Sequence, residues 1–303
     1  MEMENRWPNF LIVGAARSGT TALHEHLAMH PEIFMPLQKE PSFFCFYGKN
    51  PNYIDSRNKY IQSPEEYLKL FIGQNEKILG ESSTPYLYFF EDSIRNIQTL
   101  IPDSKKVKIL IILRNPADRA FSQYMHNRRD LREPLSFEEA LATEKQRMQE
   151  NWHFDFYYAD KGFYYKQVNA YLENFDQVKI MFFDDLEQQP NRFIKQVLEF
   201  LEIESESLQK EIQQRNQSGE MKVKWFKRLL SNRSNPLLNG IRKMMSKDAK
   251  KKLRMQAKNL LLKHNLKKVD MEADTRKQLV ELYRKDIGQL EKLIHTDLSQ
   301  WLN

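Results

Sequence analysis

The chain of 303 residues contains one cysteine, Cys45. An internal disulfide framework is therefore excluded, and a reducing compartment is the expected setting. Long apolar runs are also missing. The longest aliphatic stretch, Ile109 to Leu113, falls far short of the roughly 20 residues that a membrane-spanning helix needs. The opening Met1-Glu2-Met3-Glu4-Asn5-Arg6 has no apolar core, so no secretory signal is read. There is no internal repeat and no low-complexity tract. His24, His26 and His30 lie close together, but no third ligand and no H-E-x-x-H register accompany them, so no metal is expected. Cys45, set between aromatics, reads as a small buried hydrophobe. The expectation is a soluble, cytoplasmic protein, at most peripheral to a membrane.

Hydrophobic residues make up 41% and aromatics 12%, which is enough to build a sizeable core. The net charge of +6 is unevenly spread. Residues 222–268 carry 16 Lys and Arg against one acid, Asp248, while the remainder carries 31 basic and 40 acidic side chains. The basic character thus belongs to one late segment. Within it Leu237, Ile241, Met244 and Met245 recur at helical spacing among Arg242, Lys243 and Lys247. An amphipathic helix with a solvated basic face fits this pattern, as does contact with an anionic membrane or an acidic acceptor. No base-reading motif is present, so nucleic acid is not expected.

The chain is organised around Val13-Gly14-Ala15-Ala16-Arg17-Ser18-Gly19-Thr20-Thr21. It follows the apolar run Phe10 to Val13 and leads into a helical stretch, Ala22 to Leu27. Strand, glycine-bounded loop and helix in that order make an anion cradle, because loop amides converge at the positive end of a helix dipole. The spacing is that of a P-loop, G-x-x-x-x-G-x-[ST], on Gly14, Gly19 and Thr21. The position that should hold the lysine for terminal phosphates is Thr20, and the cation has moved to Arg17. That argues against a nucleoside triphosphate as ligand.

Further strands are expected at Ile78-Leu79-Gly80-Glu81, Val107 to Leu113 and Val178 to Phe183, the last two buried on both faces. Pro31 to Pro36 reads as extended, and Lys39 to Phe44 as a loop, since Pro41 disfavours helix at Glu40. Helices are expected from Ser63-Pro64, from the turn at Glu81-Ser82-Ser83-Thr84 to about Leu100, and from Pro116 to about Leu131. Others run from the Ser136/Glu139 capping box to about Gln149, from Gly162 to Phe175, and from Pro190 to about Leu201. This alternation predicts an α/β fold: a P-loop-like sheet of mostly parallel strands flanked by helices, with a helical C-terminal extension. One domain is expected over 1–303, with the α/β core at about 8–204 and a helical, basic part at about 205–303.

In such sheets ligands bind beyond the carboxyl ends of the strands. The Arg17 loop, the Glu81-Ser82-Ser83-Thr84 turn and Arg114 all sit there, and Ser122 lies two turns into the helix after Arg114. Two anion sites on one ligand are implied, at Arg17 and at Arg114/Ser122.

Those residues reach a known pattern. The sequence resembles the sulfotransferases that use 3′-phosphoadenosine 5′-phosphosulfate (PAPS), especially their carbohydrate-type and bacterial branches. Gly14 to Thr21 resembles the family's loop for the 5′-phosphosulfate. Leu113-Arg114-Asn115-Pro116-Ala117-Asp118-Arg119-Ala120-Phe121-Ser122 resembles its 3′-phosphate motif. Lys39-Glu40-Pro41-Ser42-Phe43-Phe44 resembles the segment whose glutamate is the general base. Weaker similarity runs through Gly80-Glu81, Gly162-Phe163-Tyr164, Phe182 to Leu186 and Leu282 to Trp301.

The resemblance implies a sulfotransferase with PAPS as co-substrate, 3′-phosphoadenosine 5′-phosphate (PAP) as product, and no metal. It makes Glu40 and Arg17 catalytic, and gives Arg17, Ser18, Gly19, Thr20, Thr21, Arg114 and Ser122 to the nucleotide. The family usually carries Lys at the position of Arg17. Ser42 and Cys45 stand where carbohydrate members have His and Asp. His126 and His153 are alternative bases, and Lys222 or Lys224 are further candidates to reach the donor. The acceptor would be a glycan, a lipid or a small alcohol, with an amine as a less favoured choice. The aromatics Trp152, Phe154, Phe156, Tyr157 and Tyr158 would either line its site or pack the core. A nucleotide kinase and a non-catalytic membrane- or polyanion-binding protein are the competing expectations.

Overall fold

The computed structural model describes residues 6–56, 60–204, 220–221, 266–267 and 269–303. Five parallel strands form its main sheet: β1 (Phe10–Gly14), β2 (Ile33–Phe34), β3 (Ile78–Ser82), β4 (Lys108–Leu113) and β5 (Val178–Phe182). Their order is β2-β3-β1-β4-β5. β1 lies in the middle, and the chain crosses it between β3 and β4, so the strand order switches at β1. Phe10 pairs with Gly80 on one side and with Lys108 on the other.

The strands at the centre have no polar face. Leu11 and Val13 point into one core layer with Ile109, Ile111 and Leu113, while Phe10 and Ile12 point into the other with Leu110 and Ile112. Helices cover both faces, which is why the sequence shows unbroken apolar runs there rather than alternation. Each fully buried Ile or Leu stabilises the sheet by about 1.5–3 kcal/mol. The expectation of a strand buried on both faces fails for β5. It is an edge strand, and only Met181 in it is fully buried.

The helices start where their caps place them. They are α1 (Thr20–Leu27), α2 (Phe43–Phe46), α3 (Pro64–Leu68), α4 (Pro85–Tyr88), α5 (Phe90–Leu100), α6 (Pro116–Arg129), α7 (Phe137–Ala142), α8 (Glu144–Gln149), α9 (Tyr164–Asn174), α10 (Phe183–Gln188) and α11 (Pro190–Leu201). Ser63 caps α3 by accepting from the Glu66 amide at 3.1 Å. The Ser136/Glu139 box closes in both directions. Asn115 caps α6, accepting from the Ala117 and Asp118 amides, and so holds Arg114 at the joint between β4 and α6.

Three predicted elements differ. The helix expected from the Thr84 turn to Leu100 breaks at Phe89 (φ −92°, ψ 47°), whose ring packs on Phe46 and Phe154. The helix expected from Phe137 to Gln149 breaks at Thr143, whose hydroxyl bonds back to the Glu139 and Ala140 carbonyls. The Lys39–Phe44 loop ends early, because Phe43 to Phe46 bury all four side chains in one helical turn.

The region after 204 is not helical only. Glu220–Met221 pairs antiparallel with Leu266–Lys267. The remainder of the basic segment, with Lys222, Lys224 and the Leu237–Met245 stripe, lies outside the described residues. The C-terminal helix, Ala273–Ile294, packs on α9 and α6. Its Asp286 accepts from the Tyr164 and Tyr165 amides and so supplies α9 with the cap its own sequence lacks. Tyr283 bonds the Ala159 carbonyl and sits where a Cβ on Gly162 would fall, which accounts for glycine there. Among the described residues no helix is long and apolar enough to cross a membrane.

Candidate active site

The carboxyl ends of β1, β3 and β4 open into one cleft of about 1130 Å³. Its floor is the loop between β1 and α1. Gly19 (φ +81°) turns the chain into α1, and a Cβ there would lie 2.4 Å from Leu186. No side chain caps α1, so its first amides are left to the cleft. Thr20 and Thr21 line the wall at that end. Ser18 does not: it is fully buried, and its hydroxyl meets no partner among the described residues. Gly19→Ala adds both strain at positive φ and a clash, and is expected to lower the melting temperature by a few degrees in scanning calorimetry. An unchanged melting temperature would mean the turn can relax.

Arg17 crosses the cleft and donates from Nε to Ser122 Oγ at 3.3 Å. Burial draws its pKa down to about 10, helped by the neighbouring Arg129 and Arg114 and opposed by Glu40 and Asp130. It therefore remains a cation at neutral pH. Arg114 donates from Nη1 to the Arg17 carbonyl at 3.1 Å, with its guanidinium 4.5 Å from the Phe183 ring centre. Burial lowers its pKa, while Asp118 and Glu187 oppose the shift. Ser122, grouped with Arg114 in the sequence, thus meets Arg17 instead, and the residues expected to form two anion sites lie next to each other. Asp118 is bonded to Arg276 of the C-terminal helix rather than to Arg114.

Glu40 faces this pair from the loop after β2, in a left-handed conformation (φ 57°). Its Oε1 accepts from Lys39 Nζ at 3.1 Å and from Thr84 Oγ1 at 2.9 Å. Burial pushes this carboxyl up, but the Lys39 charge and the two hydrogen bonds outweigh it and hold the pKa below the ordinary value. Ser42 and Cys45 give the carboxylate no support: Ser42 Oγ bonds the Glu40 carbonyl, and buried Cys45 bonds the Ser42 carbonyl.

The alternative bases separate. His126 lines the cleft, and burial first, then Arg17 and Arg129, bring its pKa to about 4, so its imidazole is neutral. His153 is not in the cleft wall; it is buried against Tyr60 and Asp155. Of the aromatic group, Phe154 reaches the cleft, while Phe156, Tyr157 and Tyr158 pack the core and Trp152 stands at its edge. His24 faces the Pro36 carbonyl and His30 that of Glu204.

Sequence reasoning gave Thr84 no role and missed Arg119, Lys161 and Arg276, although all four line the cleft. Thr84 stood in a polar turn at a predicted strand end, and Arg119 stood inside a quoted motif. Nothing local marked Lys161 or Arg276.

A glycine-bounded loop and a cleft at the carboxyl ends of a parallel sheet define a P-loop-like α/β protein. The model of the sulfotransferase domain family matches residues 8–236, and the chain belongs to that family, whose chemistry is sulfuryl transfer. A crystal structure of a sulfotransferase from Alicyclobacillus acidocaldarius is similar at a TM-score of 0.72 and 30% identity, covering 98% of this chain and 100% of that one. The membrane-associated sulfotransferase kil1 of Dictyostelium discoideum is 33% identical over 117 residues, 39% of this chain and 22% of that protein. The human bifunctional heparan sulfate N-deacetylase/N-sulfotransferase 3 is 35% identical over 127 residues, 41% of this chain and 13% of that protein. The chain thus spans less than a quarter of the length of these curated relatives.

Proposed function

We propose that the protein transfers the sulfuryl group of PAPS to an acceptor hydroxyl, belonging to a glycan, a lipid or a small alcohol, with Glu40 as the base. One observation carries this: Arg17 on the uncapped α1 loop, bonded to Ser122, and Arg114, bonded to the Arg17 carbonyl, share one cleft with the Glu40 carboxylate, which Lys39 and Thr84 hold ionised. A donor with separate 5′ and 3′ anionic groups suits two holders better than a linear triphosphate does.

In that reaction the acceptor oxygen forms a bond to sulfur while the bond from sulfur to the 5′-phosphate oxygen breaks. The acceptor proton passes to Glu40, and the bond electrons leave with the phosphate. Little covalent chemistry falls to the protein, so positioning and charge stabilisation dominate. The Thr20 and Thr21 end of the loop holds the 5′-phosphate, Arg17 neutralises its developing charge, and Arg114 with Ser122 holds the 3′-phosphate. Thr84 and Lys39 orient Glu40. Residues 1–303 are taken as one domain, and the basic 222–268 segment as a contact for an anionic membrane or an acidic acceptor.

Calorimetry tests the donor. Wild type is expected to bind PAP far more tightly than AMP or ATP. Arg114→Ala is expected to weaken PAP by tenfold or more while hardly changing AMP. Equal affinity for PAP and AMP in wild type, or equal losses for both in the variant, would remove the 3′-phosphate assignment.

A further inference from the structure

Arg119 and Lys161 line the inner wall of the cleft, and the reaction above uses neither. Both are nearly inaccessible, at 1% and 6% exposure. Arg119 places Nη2 on the Tyr158 carbonyl. Its Nε and Nη1 are buried and meet no hydrogen-bond partner among the described residues. The Lys161 ammonium lies 5.5 Å from the Phe154 ring centre and makes neither hydrogen bond nor ion pair among the described residues.

The carboxylates in the neighbourhood are engaged elsewhere. Asp155 is held by Arg132 at 2.6 Å and His153 at 3.2 Å. Glu144 accepts from the Ala159 and Asp160 amides, each at 2.8 Å. Glu40 is held by Lys39 and Thr84. Two buried cations that repel each other, without a counter-ion in contact, are costly to maintain unless an anion arrives. Burial, reinforced by Arg119 and opposed by Asp155, brings the Lys161 pKa down to about 8, so at neutral pH it is still mostly charged.

We propose that Arg119 and Lys161 form an anion subsite for the acceptor, and that the acceptor is an acidic molecule with a carboxylate or sulfate close to its accepting hydroxyl. This rests on the proposed donor reading, in which Arg17 and Arg114 take the two anionic ends of the nucleotide. The remaining pair is left to the other substrate, and Lys161 lies within electrostatic reach of the base Glu40.

The test titrates inorganic sulfate into the full chain saturated with PAP, followed by calorimetry. Wild type is expected to bind sulfate, Lys161→Met to bind it at least tenfold more weakly, and Lys161→Arg to retain most of the affinity. Affinity in wild type is also expected to fall between pH 7 and 9. Rising pH removes the Lys161 proton while sulfate keeps its charge, and a purely structural lysine would not produce that loss. Sulfate binding that is absent, unchanged in Lys161→Met or flat with pH would overturn the subsite; the second result would place the ion beside Arg17 instead. PAP binding followed by no sulfate binding removes this proposal alone, whereas failure of PAP to bind removes the donor reading and this proposal with it.

Discussion

Glu40→Gln is expected to bind PAP as wild type does and to lose turnover by roughly 10²–10⁴-fold. The substitution keeps the shape of the side chain and its contact with Thr84, but removes the group that takes the acceptor proton. Measuring PAP affinity by calorimetry and transfer of labelled sulfate under saturating donor separates the two effects. The pH profile sharpens the test. Lys39 and Thr84 hold the Glu40 pKa below the ordinary carboxylate value, so the base form persists as the pH falls. The acid limb of wild-type activity is therefore expected below the ordinary carboxylate range and not near neutrality. His126, with a pKa near 4 and a place in the same cleft, would give an acid limb in a similar range, so substitution rather than the pH profile separates the two. If Glu40→Gln keeps near-full activity and a His126 substitution abolishes it, the proton goes to the imidazole and Glu40 loses its role.

Arg17→Met is expected to cut kcat by about 10²–10³-fold at saturating donor, with a smaller change in PAP affinity. The charge on the leaving phosphate grows as its bond to sulfur breaks, so a cation beside it contributes more in the transition state than in the ground state. Burial concentrates that effect, because the local dielectric is low. Arg17→Lys is expected to stay within about tenfold of wild type: it keeps the charge but lacks a guanidinium to reach Ser122. Arg17 itself has a pKa near 10, so its proton stays on at neutral pH and its role is electrostatic. Rising pH removes the cation, so the alkaline limb of kcat/KM for the donor, at saturating acceptor, should lie near pH 10 in wild type. It should move to lower pH in Arg17→Lys, since an ammonium starts from a lower ordinary value. A lysine variant faster than wild type, with a bell-shaped profile, would show that proton donation to the leaving group had been available and that arginine forgoes it.

Much of the site was legible because its elements are local. Gly14, Gly19 and Thr21 keep their spacing whatever surrounds them, and the turn at Gly19 requires a residue at ease at φ +81°. Caps are local too: Ser63, Asn115 and the Ser136/Glu139 pair start helices at the residues expected. Breaks inside predicted helices were less legible. Phe89 leaves the helix for ring contacts with residues 43 and 65 positions away, and no propensity records that.

The sequence by itself determined the α/β alternation, the anion loop with Arg17 and without a P-loop lysine, and the Arg114–Ser122 motif. Only the tertiary structure decided how these combine. The order β2-β3-β1-β4-β5 makes β1 the switch point and so brings Arg17 against Ser122, 105 residues later. The parallel pairing of β1 and β3 sets Thr84 beside Glu40 and gives the carboxylate the partner that Ser42 and Cys45 do not provide. The docking of the C-terminal helix ties Arg276 to Asp118 and braces the loop that carries Lys161. The physical reason is common to all three. Caps and turns are satisfied within a few residues, whereas the partners of a buried charge are chosen by strand order and helix packing, which depend on the whole chain.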